Sequence, residues 1–183
     1  MSTEIGGYQL IALTPSEMQA SGSDFEEEIS SSLDLGVEVA PASCEDPFMD
    51  FFLGGVLDAE DSVLAIDADG DLVLTVRTFY NPEAAQEAFQ EQRDALEGCR
   101  TVELTSDGST GEAEVGVENI TVDGASSAYE ASVSGQGTLE VVNPSMAYGN
   151  TIVLMASMDQ YAGGPAPDNE ALLGEVAQAL SAP

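Results

Sequence analysis

The 183-residue chain contains no lysine, no histidine and no tryptophan. Its three basic residues, all arginine, stand against thirty-four acidic ones, for a formal net charge of −31. Each absence removes chemistry. Without histidine there is no Ser-His-Asp triad, no imidazole metal ligand and no proton switch near neutral pH. Without lysine there is no Schiff base and no lysine general base. Arg77, Arg93 and Arg100 cannot neutralise a run of phosphates, which excludes nucleic acid as a partner and makes an anionic membrane surface a poor one. Catalysis is left with carboxylates, hydroxyls and two cysteines. The expectation is therefore not an enzyme, with no cofactor and no metal.

Long apolar runs are also missing. No stretch approaches the ~18 uncharged apolar residues of a membrane span. Met1 to Gly7 has neither the basic start nor the apolar centre of a signal peptide. If the protein is exported, its leader or anchor lies outside this sequence. What is present is ordinary apolar content, 43% of residues spread along the chain, enough for a single domain over 1–183 with a substantial core. Uniform negative charge resists self-association, so a monomer is expected. At about 1 M salt the Debye length falls to ~3 Å and such repulsion is screened. Two settings stay open: a salt-adapted organism, or the acidic exterior of an ordinary bacterium.

Cys44 and Cys99 are the two cysteines. In a secreted domain an even count points to a disulfide; in a cytosolic one the same pair would be buried free thiols. The spacing does not fit a CxxC redox motif, and two thiols without histidine make a poor zinc site. We adopt the bridge as the working expectation.

Along the chain, Tyr8–Leu13 is a short apolar run and Thr14-Pro15-Ser16-Glu17 reads as a helix start. Residues 21–46, rich in Ser, Asp and Glu, read as an acidic loop or mobile arm. Phe48, Phe51 and Phe52 recur at helical spacing within Pro47–Leu57, so one face of a short helix should enter the core, with Gly54-Gly55 ending it. Ser62–Ile66 and Leu72–Tyr80, joined through Asp69-Gly70, read as a β-hairpin. Asn81 caps and Pro82 opens the clearest helix, running to Glu97 with Ala85, Ala88, Phe89, Ala95 and Leu96 inward and Gly98 at its end. Alternation then predicts strands over 101–105, 112–122, 126–134, 138–142 and 147–158. After a linker at Gly163–Pro167, Asp168-Asn169 caps a last helix with Leu172, Leu173, Val176 and Leu180 on one face. The fold class is α+β: an antiparallel meander packed with three to four helices and one disulfide.

Few constellations point to chemistry. Asp67-Ala68-Asp69-Gly70-Asp71 has the look of a calcium loop, but its glycine comes too early and Val76 stands where the loop needs glutamate, so it is read as a hairpin turn. Asp58, Glu60 and Asp61 form a second acidic cluster, the basis for a carboxylate hydrolase as the least favoured function. Arg77, inside a predicted strand, is expected to pair with a local carboxylate; the alternative is recognition of an anionic ligand by its guanidinium fork.

The layout resembles a known family. VAPASC at 39–44, a strand pair, VRTFYNPEAAQEAF, LEGCR at 96–100 and AYGNTIVLMAS follow the order seen in the PknH-like extracellular sensor domains and related actinobacterial lipoproteins. The resemblance spans Leu10 to Leu180. It implies an α+β domain outside the cell membrane, a Cys44–Cys99 bridge, and an unidentified ligand on a concave face. Arg77 and Tyr148 are candidate ligand-lining residues; the partner would be a small molecule or an envelope component. The alternative is a structural or protein-interaction module of the envelope without a small ligand.

Overall fold

The computed structural model describes residues 2–13, 38–53, 62–67, 69, 71–106, 108–135, 140–157, 160 and 167–181. Its strands are β1 Ser2–Ile5, β2 Tyr8–Leu13, β3 Glu38–Ala40, β4 Ser62–Asp67, β5 Leu72–Thr78, β6 Thr101–Ser106, β7 Ser109–Asn119, β8 Ser127–Gly135, β9 Val141–Tyr148 and β10 Thr151–Ser157. A single 3-10 turn, Ala42–Cys44, leads into α1 Glu45–Leu53; α2 is Pro82–Glu97 and α3 is Asn169–Ser181. The strands form one antiparallel sheet in the order β1-β2-β4-β5-β10-β9-β8-β7-β6-β3.

The α+β class stands, but the meander covers only half of the sheet. β6 to β10 are sequential neighbours; β5-β4 and β2-β1 extend the sheet beyond β10, and β3 caps its far edge. Three strands were not predicted. β1 and β2 turn on Gly6 and Gly7, whose positive φ of 57° and 86° suits a tight hairpin. At Gly6 an added Cβ would displace the Leu172 side chain, and the positive φ adds backbone strain, so glycine suits the hairpin tip where it sits against α3. β3 and the start of α1 fall within 38–46, which the acidic composition had assigned to a loop. There Val39 and Cys44 are buried among exposed neighbours, too few apolar residues to register as a period. The Thr14–Glu17 helix start, the remainder of the acidic arm, Gly54-Gly55 and most of the Gly163–Pro167 linker lie outside the described residues.

A second correction concerns the late strands. The sequence predicts separate strands over 138–142 and 147–158; instead β9 runs from Val141 to Tyr148 through Pro144 and the turn falls at Gly149-Asn150. Proline lacks an N–H and is excluded from a fully paired central ladder. Here the β9–β10 ladder runs from Thr151↔Tyr148 to Leu154↔Ser145 and stops, so Pro144 stands just beyond its end. Past that point the Gln160 side chain replaces the missing strand. Its Oε1 accepts from Val142 N at 2.9 Å and its Nε2 donates to Val142 O at 3.0 Å, at 2% exposure.

Alternation divides the sheet into two buried faces. On one, α1 and α2 cover Val102, Ala113, Val115, Tyr129, Ala131, Val133, Ala147, Ile152 and Leu154, with Phe48, Phe51, Ala85, Phe89 and Leu96 contributed by the helices. On the other, α3 brings Leu172, Leu173, Val176 and Ala177 against Leu72, Leu74, Met146, Val153 and Met155. Two predicted core positions turn outward: Ala95 on α2 is exposed, and so is Leu180 in the last turn of α3, where Ala177 packs instead. Tyr80 also leaves the predicted strand face, because β5 ends at Thr78; it is 88% exposed.

α2 matches the expected 82–97 span. Asn81 Oδ1 accepts from Ala84 N at 2.8 Å, and Pro82 occupies a first-turn position that needs no N–H donor. Immediately after α2, Cys99 bonds Cys44, with Cα atoms 5.7 Å apart. The bridge ties the end of α2 to the start of α1, beside the edge strand β3 and its neighbour β6.

Candidate functional site

A concavity follows α2. It is an open groove of about 790 Å³ lined by Pro82, Glu83, Gln86, Glu87, Gln90, Glu91 and Asp94 of the helix, closed on its far side by Ser126 and Gly149. Gln86 fixes the helix to that wall. Its Nε2 donates to Ser127 Oγ at 3.0 Å, and its Oε1 accepts from Ser126 Oγ at 2.8 Å. Four carboxylates line this groove without a basic residue among them, so its potential is strongly negative. The apolar pattern of α2 gave no signal for it, since the groove belongs to the helix's solvated side.

Arg77 and Tyr148 do not share a pocket. Arg77 stands opposite Ile152, and Ile152 opposite Ala147; the adjacent rung is Thr78, Thr151 and Tyr148. Neighbouring rungs project to opposite faces. Arg77 is thus on the α1/α2 side and Tyr148 on the α3 side, where its ring leans over Gly124; a Cβ there would lie 3.1 Å from Tyr148 Cε2.

The expected carboxylate partner of Arg77 is absent among the described residues. There the ion pair is Arg93–Glu97, at 2.6 Å. The Arg77 Nε is buried without a hydrogen-bond acceptor among the described residues, and its guanidinium carbon lies 5.6 Å from the centre of the Phe79 ring. Phe79 is itself fixed: its N–H donates to Asn150 O and its carbonyl accepts from Asn150 Nδ2, both at 2.8 Å.

Asp67, Asp69 and Asp71 do converge, with carboxylate oxygens within 4.8 Å of one another. The Asp67 carboxylate accepts from Leu72 N at 2.7 Å and Asp69 N at 3.3 Å. That is the work of a turn-forming aspartate, in keeping with the hairpin reading. Asp58, Glu60 and Asp61, the basis of the hydrolase reading, lie outside the described residues.

A buried polar group escaped the sequence reading. Tyr129 of β8, 1% exposed, packs its ring 4.9 Å from that of Phe89 at a tilt, and its hydroxyl has no hydrogen-bond partner among the described residues. Desolvation pushes its pKa up to about 12. Ser145, its cross-strand neighbour, pulls the value down without completing a hydrogen bond; the Asp50 carboxylate adds to the rise and Arg93 opposes it.

No family model matches the chain, and no curated protein matches it. Among solved structures it is similar to the extracellular domain of PknH from Mycobacterium tuberculosis, at 15% identity over 78% of each chain with a TM-score of 0.44. It is also similar to a putative uncharacterized protein from Mycobacterium smegmatis, at 15% identity over 98% of this chain and 87% of that one, with a TM-score of 0.34. The first is a domain of the family that the sequence motifs resemble. Among the described residues no helix is long and apolar enough to cross a membrane.

Proposed function

We propose that the chain is a non-enzymatic, extracellular binding domain of the sensor type, from an actinobacterial envelope protein that is a lipoprotein or a receptor. The observation that carries this reading is the groove along α2, with its fixed polar wall of Gln86, Ser126 and Ser127. Disulfides persist in oxidising compartments, so the Cys44–Cys99 bridge supports a location outside the cytoplasm. The VAPASC and LEGCR motifs support the sensor family. The ligand is a small molecule or an envelope component.

Native mass spectrometry of protein purified from its own host tests the reading. A retained small molecule is expected. A clean apo mass in repeated preparations would overturn it in favour of an interaction module. For the location, thiol labelling without reductant should find no free cysteine; two labelled thiols would remove the extracellular placement.

A further inference from the structure

From the surroundings of Arg77 we infer an oxyanion site, apart from the α2 groove, in which this guanidinium binds a carboxylate or phosphate group of a ligand. The argument begins with charge. Thirty-four acidic residues compete for three arginines in this chain. Arg93 is captured by Glu97, and Arg100, which forms no ion pair among the described residues, is exposed to water; Arg77 is half-buried and has more need of a partner. Arg77 makes no such pair with any described residue. Its cross-strand neighbours are Ser62 on β4 and Ile152 on β10. Beside it the Phe79 ring supplies a cation–π surface that holds the guanidinium without neutralising it. Asn150 holds the Phe79 backbone through two hydrogen bonds, so the platform is pre-positioned.

Arg77 is half-buried, with its Nε enclosed and without an acceptor among the described residues, and we assign the ligand contact to the two Nη nitrogens at the end of the fork. Those two nitrogens present parallel N–H donors at the spacing of two oxygens on one carboxylate or phosphate. A halide ion accepts at a single centre, a poorer geometric match to two parallel donors than a pair of oxygens. The chain's own field repels anions, so the site operates best where salt screens that field within a few ångströms.

The chain's composition supplies the test. With three arginines and no lysine, the Nε–H region of a proton–nitrogen NMR spectrum contains three arginine signals. The signal missing from Arg77→Lys, and also from Arg77→Gln, identifies Arg77. Wild-type protein is titrated with inorganic phosphate and, separately, with acetate, at constant 1 M sodium chloride as the background. The Arg77 signal should move saturably with at least one probe while those of Arg93 and Arg100 stay in place; the probe that saturates names the oxyanion. Binding to Arg77→Lys, followed on backbone amides near Phe79, should weaken about tenfold through loss of the planar fork. Three results would overturn the site: no saturable movement with either probe, equal movement of all three signals, or an Arg77 signal that responds only when Asp58, Glu60 or Asp61 is changed to its amide. The last would mean that an internal carboxylate is the partner. None of these depends on the mass measurement, which tests the groove.

Discussion

Tyr129 shows what one polar atom costs inside an otherwise apolar layer. The ring contributes packing against Phe89, but the hydroxyl gives up water without gaining a hydrogen bond. Leaving such a group unsatisfied costs about 1–3 kcal/mol. Removing it in Tyr129→Phe keeps the ring, so stability in urea titrations at pH 7 should stay equal or rise, by up to about 1 kcal/mol. The same residue shapes the alkaline limit. Its folded pKa is raised from 10.0 to about 12, so the neutral phenol is favoured by folding. Above pH 10 the unfolded chain releases this proton while the folded one retains it. Stability therefore falls as pH rises from 10 to about 12, by about 2–3 kcal/mol from this group. Comparing the variant with wild type across that interval isolates the effect from the other tyrosines: the variant should lose less stability. Parallel alkaline curves would remove Tyr129 as the cause.

Among the elements, α2 and the Cys44–Cys99 bridge act as one unit. Cys99 follows the helix directly, and its partner precedes α1, whose Phe48 and Phe51 pack into the same core as Phe89. With a sequence separation of 55, the bridge restricts a long loop in the unfolded chain. Loop entropy assigns it about 4 kcal/mol. The Cys44→Ala/Cys99→Ala double variant should lose roughly that much in urea unfolding, within a measured range of about 2–5 kcal/mol; a loss below about 1 kcal/mol would show that the helices hold this corner without it. α2 was legible in the sequence because cap, proline and period agree within sixteen residues. β9 and β10 were not. Asn143-Pro144 is a local breaking signal, and what overrides it is a side chain sixteen residues beyond Pro144 that completes the edge. Neither β3 nor the partition of Arg77 and Tyr148 was legible either. β3 has three residues and exists through its pairing with β6. The face occupied by Tyr148 depends on where the turn falls: a strand through 147–158 gives no rung across Gly149, whereas the observed turn sets Tyr148 opposite Thr151. Of the candidate site, the sequence singled out Arg77 by its charge. The groove went unseen, because a row of glutamates on a helix reads equally as solvated surface.

At the scale of the whole molecule, the charge follows the sheet's geometry. On the β6–β8 half, the face opposite α1 and α2 displays exposed Glu103, Glu112, Glu114 and Glu118, with Glu130 half-buried. Glu103 stands directly opposite Glu112, and Glu118 directly opposite Glu130. Like charges in such pairs destabilise a sheet. Lysine, which relieves them elsewhere, is absent from this chain. On α2, Glu83, Glu87 and Glu91 repeat the conflict at the i, i+4 spacing, where each like-charge pair costs about 0.2–0.5 kcal/mol. The apolar cores on both faces must therefore outweigh a repulsion that the chain does not neutralise internally. Exposed charges of this kind are screened by salt: the Debye length shrinks from about 10 Å at 0.1 M to about 3 Å at 1 M, below the separation of most of these carboxylates. Melting temperature should accordingly rise on going from dilute buffer to molar sodium chloride. The same rise should occur with potassium chloride, because screening depends on ionic strength rather than on a shaped cation site. A melting temperature that is unchanged or lower in molar salt would mean that the carboxylates repel too weakly to matter. A rise confined to one cation would instead point to specific coordination.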